Sequence, residues 1–257
     1  MKQIRVGGEV IGHPDRPLIC TSVTGKTRSA ILGEMAAIVP KAPDLIEWRV
    51  DCFEGVGDIA TVIDMATEIK AAAGTIPLVF AFRTINERGG ASALNEADTL
   101  KLYVAACASR CVDIIDYEMS NAATNVSMLR QVSASNGVTM IMSYHNHEAT
   151  PGDEELLRHY SDAERLGADV AKVVVMPRSS ADVVSLLEVT QKADSVSEIP
   201  VVGVAMGGVG ALSRVFGWMF GSSVTFAAGK SRPAPGQMSI KELRSVLNSV
   251  CNAVHGG

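Results

Sequence analysis

Lys172 lies inside Ala168-Asp169-Val170-Ala171-Lys172-Val173-Val174-Val175-Met176, a run that otherwise reads as the apolar core of a β-strand. An ammonium ion is disfavoured there, so its pKa is expected to fall toward neutrality unless a carboxylate compensates. A neutral lysine in a dry pocket attacks carbonyls and forms an imine, which draws electrons from the neighbouring carbons. The plain alternative is a lysine that reaches solvent or pairs with an acid. His145 follows the fifth strand candidate in Ser143-Tyr144-His145-Asn146-His147. With an ordinary pKa of about 6.5, an imidazole at a strand end can take a proton and return it. His147 shares the loop and is expected to be more exposed. His13 in a turn, His159 on a helix and His255 in the tail look peripheral.

Charged residues gather at other strand ends. In Glu47-Trp48-Arg49, alternation sends Glu47 and Arg49 to one face, where they could bind vicinal hydroxyls or simply pair with each other. Asp51 follows them. Arg83 ends the third strand candidate, Glu87 lies in the glycine-rich loop after it, and Glu118 ends the fourth. None of these positions shows a metal-ligand spacing, and no metal is expected. Gly207-Gly208-Val209-Gly210 runs into a helix and could bind an anion or merely turn the chain. Residues 229–237 form a polar, proline-containing loop of the kind that closes over substrates.

These residues need elements to position them, and the chain supplies a repeat of about thirty residues, the length of one βα unit. Strands are predicted at 18–22, 45–49, 77–82, 112–118, 139–144, 170–175, 200–205 and 224–226. Helices are predicted at 27–38, 59–73, 97–109, 123–135, 153–166, 181–193, 211–219 and 240–254. Asp153-Glu154-Glu155 puts acids in a first turn, and Ser239 with Glu242 has capping-box spacing. Strict alternation, with strands apolar on both faces, predicts a single (β/α)8 barrel over residues 1–257. Segments 3–6 and 9–11 around Gly7-Gly8 predict a hairpin closing the barrel's N-terminal end. An open doubly wound sheet would carry a glycine fingerprint after its first strand, and Ser22-Val23-Thr24-Gly25-Lys26-Thr27 has a single glycine. In a barrel, catalysis belongs at the C-terminal ends of the strands.

Composition agrees. The chain has 257 residues, 47% of them apolar and 20% charged, enough for a large core and too few charges for disorder. With 23 basic and 28 acidic side chains the net charge is −5, which argues against a nucleic-acid partner. No apolar run approaches the roughly 20 residues of a membrane helix, and the start of the chain lacks the apolar stretch of a signal peptide. Five cysteines without a CxxC pair read as reduced thiols, mostly buried, of a cytoplasmic protein. Cys107 and Cys111 are expected to be core.

Glu47-Trp48-Arg49-Val50-Asp51, Ser143-Tyr144-His145, Ala171-Lys172-Val173, Met176-Pro177, Met206-Gly207, Ser213-Arg214 and Ala234-Pro235-Gly236-Gln237 resemble, in order, the type I 3-dehydroquinate dehydratases. The likeness runs from Ser22 to Gln237. It implies that Lys172 forms a Schiff base with the ketone of 3-dehydroquinate, that His145 is the general acid and base, and that Glu87 supports it. By the same resemblance Glu47, Arg49 and Arg83 hold ring hydroxyls, and Arg214 with Gln237 binds the carboxylate. Ser22, Met206 and Phe226 line the pocket. The resemblance implies no cofactor and a homodimer.

Three positions depart from the family pattern. Pro233 stands where a lid serine is usual, an extra residue separates Glu87 from Gly89-Gly90, and His147 replaces an aromatic residue. The same reaction serves aromatic biosynthesis and quinate breakdown, and the residues do not separate the two. Two other readings remain: a class I aldolase, which needs a phosphate site after strands seven and eight, or a non-catalytic ligand sensor. A sensor has no use for a buried imine-forming lysine.

Overall fold

The computed structural model describes residues 2–84, 94–230 and 236–255. Strands β1 (Ile4–Val6) and β2 (Glu9–Ile11) pair antiparallel around Gly7, whose φ of +58° suits the turn. Eight parallel strands follow: β3 (Leu18–Val23), β4 (Leu45–Arg49), β5 (Leu78–Ala81), β6 (Ile114–Glu118), β7 (Thr139–Asn146), β8 (Val170–Val175), β9 (Val201–Ala205) and β10 (Val224–Ala227). From β3 to β9 each strand pairs with its neighbours in chain order, and β10 returns to pair with β3. The seam between β9 and β10 is thin. It is closed by one bridge, Val201 with Ser222, and by the Ser223 N–H donating to the Val201 carbonyl at 2.9 Å. The chain is therefore a (β/α)8 barrel, as the alternation predicts.

Outside the strands lie α1 (Arg28–Ile38), α2 (Ile59–Ala73), α3 (Glu96–Ser109), α4 (Ala123–Ser135), α5 (Asp153–Arg165), α6 (Ser180–Val196), α7 (Ala211–Phe216) and α8 (Ile240–His255). Local chemistry starts them. Thr27, Asp58 and Asn95 cap α1, α2 and α3 with side-chain oxygens, and Ser179 with Asp182 forms a capping box. Ser239 and Glu242 exchange the predicted reciprocal bonds at the start of α8. The predicted helix 211–219 is corrected: α7 ends at Phe216 and tightens into a 3-10 turn, Gly217–Phe220. Glycine at 217 weakens the α-helix, and Gly221 at φ +92° reverses the chain.

Two apolar shells hold the barrel. The outer one lies between sheet and helices and includes Trp48, Phe80, Tyr103 and Tyr117 in successive edge-to-face contacts. The inner one fills the lower lumen with Leu18, Leu45, Val79, Ile114, Ile141, Val170, Val202 and Val224. Val6 and Ile11 of the hairpin join that inner cluster, so the predicted plug is present. Full burial of such a side chain stabilises by about 1.5–3 kcal/mol.

Candidate active site

The period of two along each strand carries the lumen from apolar to charged. On β4 the inward face reads Leu45, Glu47, Arg49; on β6 it reads Ile114, Asp116, Glu118; on β8 it reads Val170, Lys172, Val174. On β7 Ser143 and His145 turn inward, while Tyr144 turns outward and stacks on His159 of α5 with ring centroids 3.6 Å apart. β7 runs two residues past its predicted end, because His145 and Asn146 still pair with Val174 and Val175. His145 therefore sits within a strand, which fixes its backbone more firmly than the expected loop. Conversely, β5 stops at Ala81, and Arg83 follows the strand instead of ending it.

Lys172 is 4% exposed, and its ammonium is paired. Nζ donates to Asp116 Oδ2 at 2.7 Å and, at the longer distance of 3.4 Å, to Glu47 Oε2. It also lies 4.8 Å from the centre of the Phe226 ring, a cation–π distance. The carboxylate anticipated as the compensating case is thus present twice. Arg83 donates both Nη atoms to Asp116, at 2.7 and 2.6 Å, and Nη1 also reaches Ser143 Oγ at 3.1 Å. Ser22 Oγ donates to Glu47 Oε1 at 2.9 Å. Glu47 and Arg49 share a face but do not pair directly: Arg49 takes Asp51 through two bonds of 2.9 and 2.8 Å.

These charges set the protonation states. Burial alone would raise the Glu47 and Asp116 carboxyls, but the charges of Lys172 and Arg83 outweigh it, so Glu47 is held below its ordinary value and Asp116 well below. Glu118 goes the other way, raised by burial that Arg83, 3.9 Å off, offsets only in part. Burial pushes His145 well below its ordinary value, and the Arg83 and Lys172 charges add to the effect. His145 is therefore a neutral base at pH 7. Burial also pushes Arg214 down to about 10. Its Nη1 reaches the Phe226 carbonyl at 3.4 Å, and no carboxylate among the described residues lies within ion-pair distance.

Over this floor lies a cavity of about 190 Å³. Of the predicted residues, Glu47, Arg49, Arg83, His145, Lys172, Met206, Arg214, Phe226 and Gln237 line it, joined by His147, Val174 and Val204. Ser22 stands behind Glu47. Glu87 lies outside the described residues, and so does Pro233. His147 is exposed, as expected, with its ring nearly parallel to that of His145 at 6.3 Å. Gly207, at φ +69°, turns the chain, and a side chain on Gly210 would strike the Ala205 and Met206 carbonyls, so both glycines serve the chain's path. No group of three or more His, Cys, Asp or Glu suited to a metal occurs among the described residues. A larger cavity of about 480 Å³ lies beside α8, where Arg244 is committed to Asp44 and burial pushes the Cys251 thiol up.

A sequence profile of type I 3-dehydroquinase matches residues 19–252. The chain belongs to the type I 3-dehydroquinase family. Within that family it is 44% identical over 256 residues to the 3-dehydroquinate dehydratase of Albidiferax ferrireducens, covering 100% of this chain and 97% of the relative. The crystal structure of 3-dehydroquinate dehydratase from Geobacillus kaustophilus superposes with a TM-score of 0.94 at 39% identity, covering 100% of this chain and 98% of that one. The type I 3-dehydroquinate dehydratase of Clostridium difficile, solved with covalent modified comenic acid, also gives 0.94, at 35% identity over 98% and 100% of the chains. Family membership makes the chain an enzyme of the dehydroquinase type. No helix among the described residues is long and apolar enough to cross a membrane.

Asp116 is the residue that the sequence reading missed. It sits in the middle of a strand, two positions before Glu118, and breaks the apolar pattern as Lys172 does. The same signal could have found it. Ser143 stands in the sequence only as part of the Ser143-Tyr144-His145 motif, and its hydroxyl donates to Asp116 Oδ1 at 2.6 Å.

Proposed function

We propose that the enzyme dehydrates 3-dehydroquinate to 3-dehydroshikimate through a Schiff base on Lys172. One observation carries the reading: a buried amine and a neutral buried imidazole share a cavity with a guanidinium that has no carboxylate partner among the described residues. Such a cavity suits a small keto acid. Arg214 with Gln237 receives the carboxylate, as a charge-assisted bond to a desolvated guanidinium is favourable. Glu47 and Arg49 face the ring hydroxyls, and Arg83 faces them as a fixed positive charge with its Nη atoms engaged by Asp116 and Ser143.

The steps balance on these groups. The Lys172 ammonium gives one proton to neutral His145, and its freed lone pair attacks the ketone carbon. That proton, returned from His145, and a second from the nitrogen leave with the carbonyl oxygen as water, giving a protonated imine and neutral His145 again. The imine acidifies the adjacent C–H, and neutral His145 takes that proton, leaving an enamine and an imidazolium. The imidazolium then protonates the hydroxyl on the next carbon. As that C–O bond breaks, the enamine electrons form the new C=C, water departs, and the iminium returns. A second water hydrolyses it to the product ketone and the lysine ammonium. Glu87 is assigned to support His145 by family likeness. No step calls on a cofactor, because the iminium supplies the electron withdrawal.

Borohydride added with 3-dehydroquinate should label Lys172 and inactivate the enzyme. An adduct mapped to another lysine, such as Lys230, would overturn the assignment. Turnover of 3-dehydroquinate, measured beside sugar-phosphate cleavage, separates the dehydratase from an aldolase, and neither activity would indicate a sensor. The expected homodimer is checked by sedimentation.

A further inference from the structure

Two carboxylates reach Lys172, and they are not equivalent. Glu47 lines the cavity, lies at the longer 3.4 Å and accepts Ser22 on its other oxygen. Asp116 lies beneath the cavity, with none of its surface exposed. Its Oδ1 accepts from Arg83 Nη1 at 2.7 Å and Ser143 Oγ at 2.6 Å, and its Oδ2 accepts from Arg83 Nη2 at 2.6 Å and Lys172 Nζ at 2.7 Å. Four donors on two oxygens leave the carboxylate neither a lone pair to take up a proton nor freedom to turn. Its backbone is held too. The Tyr103 hydroxyl donates to the Asp116 carbonyl at 2.6 Å and accepts the Phe82 N–H at 2.8 Å, tying β6 to the segment that carries Arg83.

We propose that Asp116 is the positioning residue of this site: it aims Lys172 Nζ at the cavity before substrate arrives, and it stays beside that nitrogen as the fixed counter-ion of the iminium. The proposal rests on the imine reading above. Lysine has a long flexible stem, and a nitrogen already held in place loses less freedom on reaching a near-attack geometry. When the amine becomes C=N⁺–H, the nitrogen keeps one N–H and its charge, so the bond to Oδ2 can persist. A buried opposite charge at that distance favours the protonated imine over the neutral one by about one to three pH units. The protonated form is the one that acidifies the neighbouring C–H. Asp116 therefore acts on the substrate only through Lys172.

The other titratable and charged groups facing this pair are Cys20 on β3, Glu47 on β4, Arg83 after β5, Tyr103 on α3, Glu118 on β6 and His145 on β7. Asp116→Asn leaves all of them in place and removes one charge at nearly constant shape. The experiment is borohydride trapping of the Lys172 adduct with 3-dehydroquinate, followed by mass spectrometry from pH 6 to pH 9. In Asp116→Asn the trapped fraction should decline with rising pH at a midpoint at least about one unit below that of the wild type. Trapping should also be at least about tenfold slower. Loss of packing alone would lower the yield of folded protein without moving the midpoint. A wild-type midpoint and rate in Asp116→Asn would overturn the proposal while leaving the imine intact. Absence of any Lys172 adduct in the wild type would instead remove the imine reading itself. Should Asp116→Asn not fold, Asp116→Glu decides, because it keeps the charge and displaces it by one methylene. Its midpoint should stay near that of the wild type and its trapping should slow, whereas an unchanged rate would overturn the positioning role.

Discussion

The two ends of the barrel lumen differ in kind although the same strands build both. At the lower end, Leu45, Ile114 and Val170 pack against Val6 and Ile11 of the hairpin. Two residues further along the same strands, roughly 6.6 Å away, stand Glu47, Asp116 and Lys172. The lower layer is held by area removed from water. The upper one is held by a closed set of charges, each of which is costly to bury without its partner. A substitution below should therefore change stability and spare chemistry, whereas one above should remove chemistry as well as any stability its partners lose.

The largest test is Lys172→Ala. Turnover of 3-dehydroquinate and borohydride labelling should both vanish while the protein stays folded, since Asp116 keeps its two bonds from Arg83. Residual turnover near that of the wild type would break the contrast at its centre. Next, His145→Ala should lower kcat by about 10²–10⁴-fold and still allow some adduct on Lys172, whereas His147→Ala should lose far less. Equal losses would mean that the two rings share the proton. With His145 held well below its ordinary value, mainly by burial, the acid limb of kcat/KM should lie below about pH 6.5. The unfolded chain takes up that proton first as pH falls, so the stability contributed by this histidine is full above its ordinary value of about 6.5 and is lost as pH falls from there toward the limb.

At the lower end, Ile11→Ala should cost about 2–5 kcal/mol of stability, read from denaturant melts, with kcat per folded molecule unchanged. A matching fall in kcat would show that the plug shapes the charged layer. The smallest effect is expected from Pro233→Ser, which restores the hydroxyl usual in the family. One neutral hydrogen bond of about 0.5–1.5 kcal/mol should lower KM by at most about tenfold. An unchanged or raised KM would mean that another group already makes the contact.

The fold was legible because periodicity and caps are local. Strands β4 and β8 fall on their predicted bounds, and α8 starts on the Ser239–Glu242 box. The single-residue breaks in apolar runs located Lys172 and the strand-end charges. Pairing was less legible, because it is set across strands. Arg49 chooses Asp51, two positions away, over Glu47, and Arg83 chooses Asp116, thirty-three positions on. Asp116 is not legible as a strand-end charge, because the lumen places it one layer below Glu118, within reach of the lysine's own nitrogen.

The thin seam between β9 and β10 has a consequence of its own. Arg214, on the helix after β9, donates to the Phe226 carbonyl on β10, and Thr225 Oγ donates back to the Arg214 carbonyl at 2.8 Å. The guanidinium assigned to the substrate carboxylate thus also acts as a clasp across the joint with the fewest main-chain bonds. A barrel opens first where its ladder is sparsest. An anionic ligand seated on Arg214 should therefore slow amide exchange at Ser222 and Ser223 more than in the β7–β8 ladder, and binding could be followed from the rim of the barrel without observing the reaction at all.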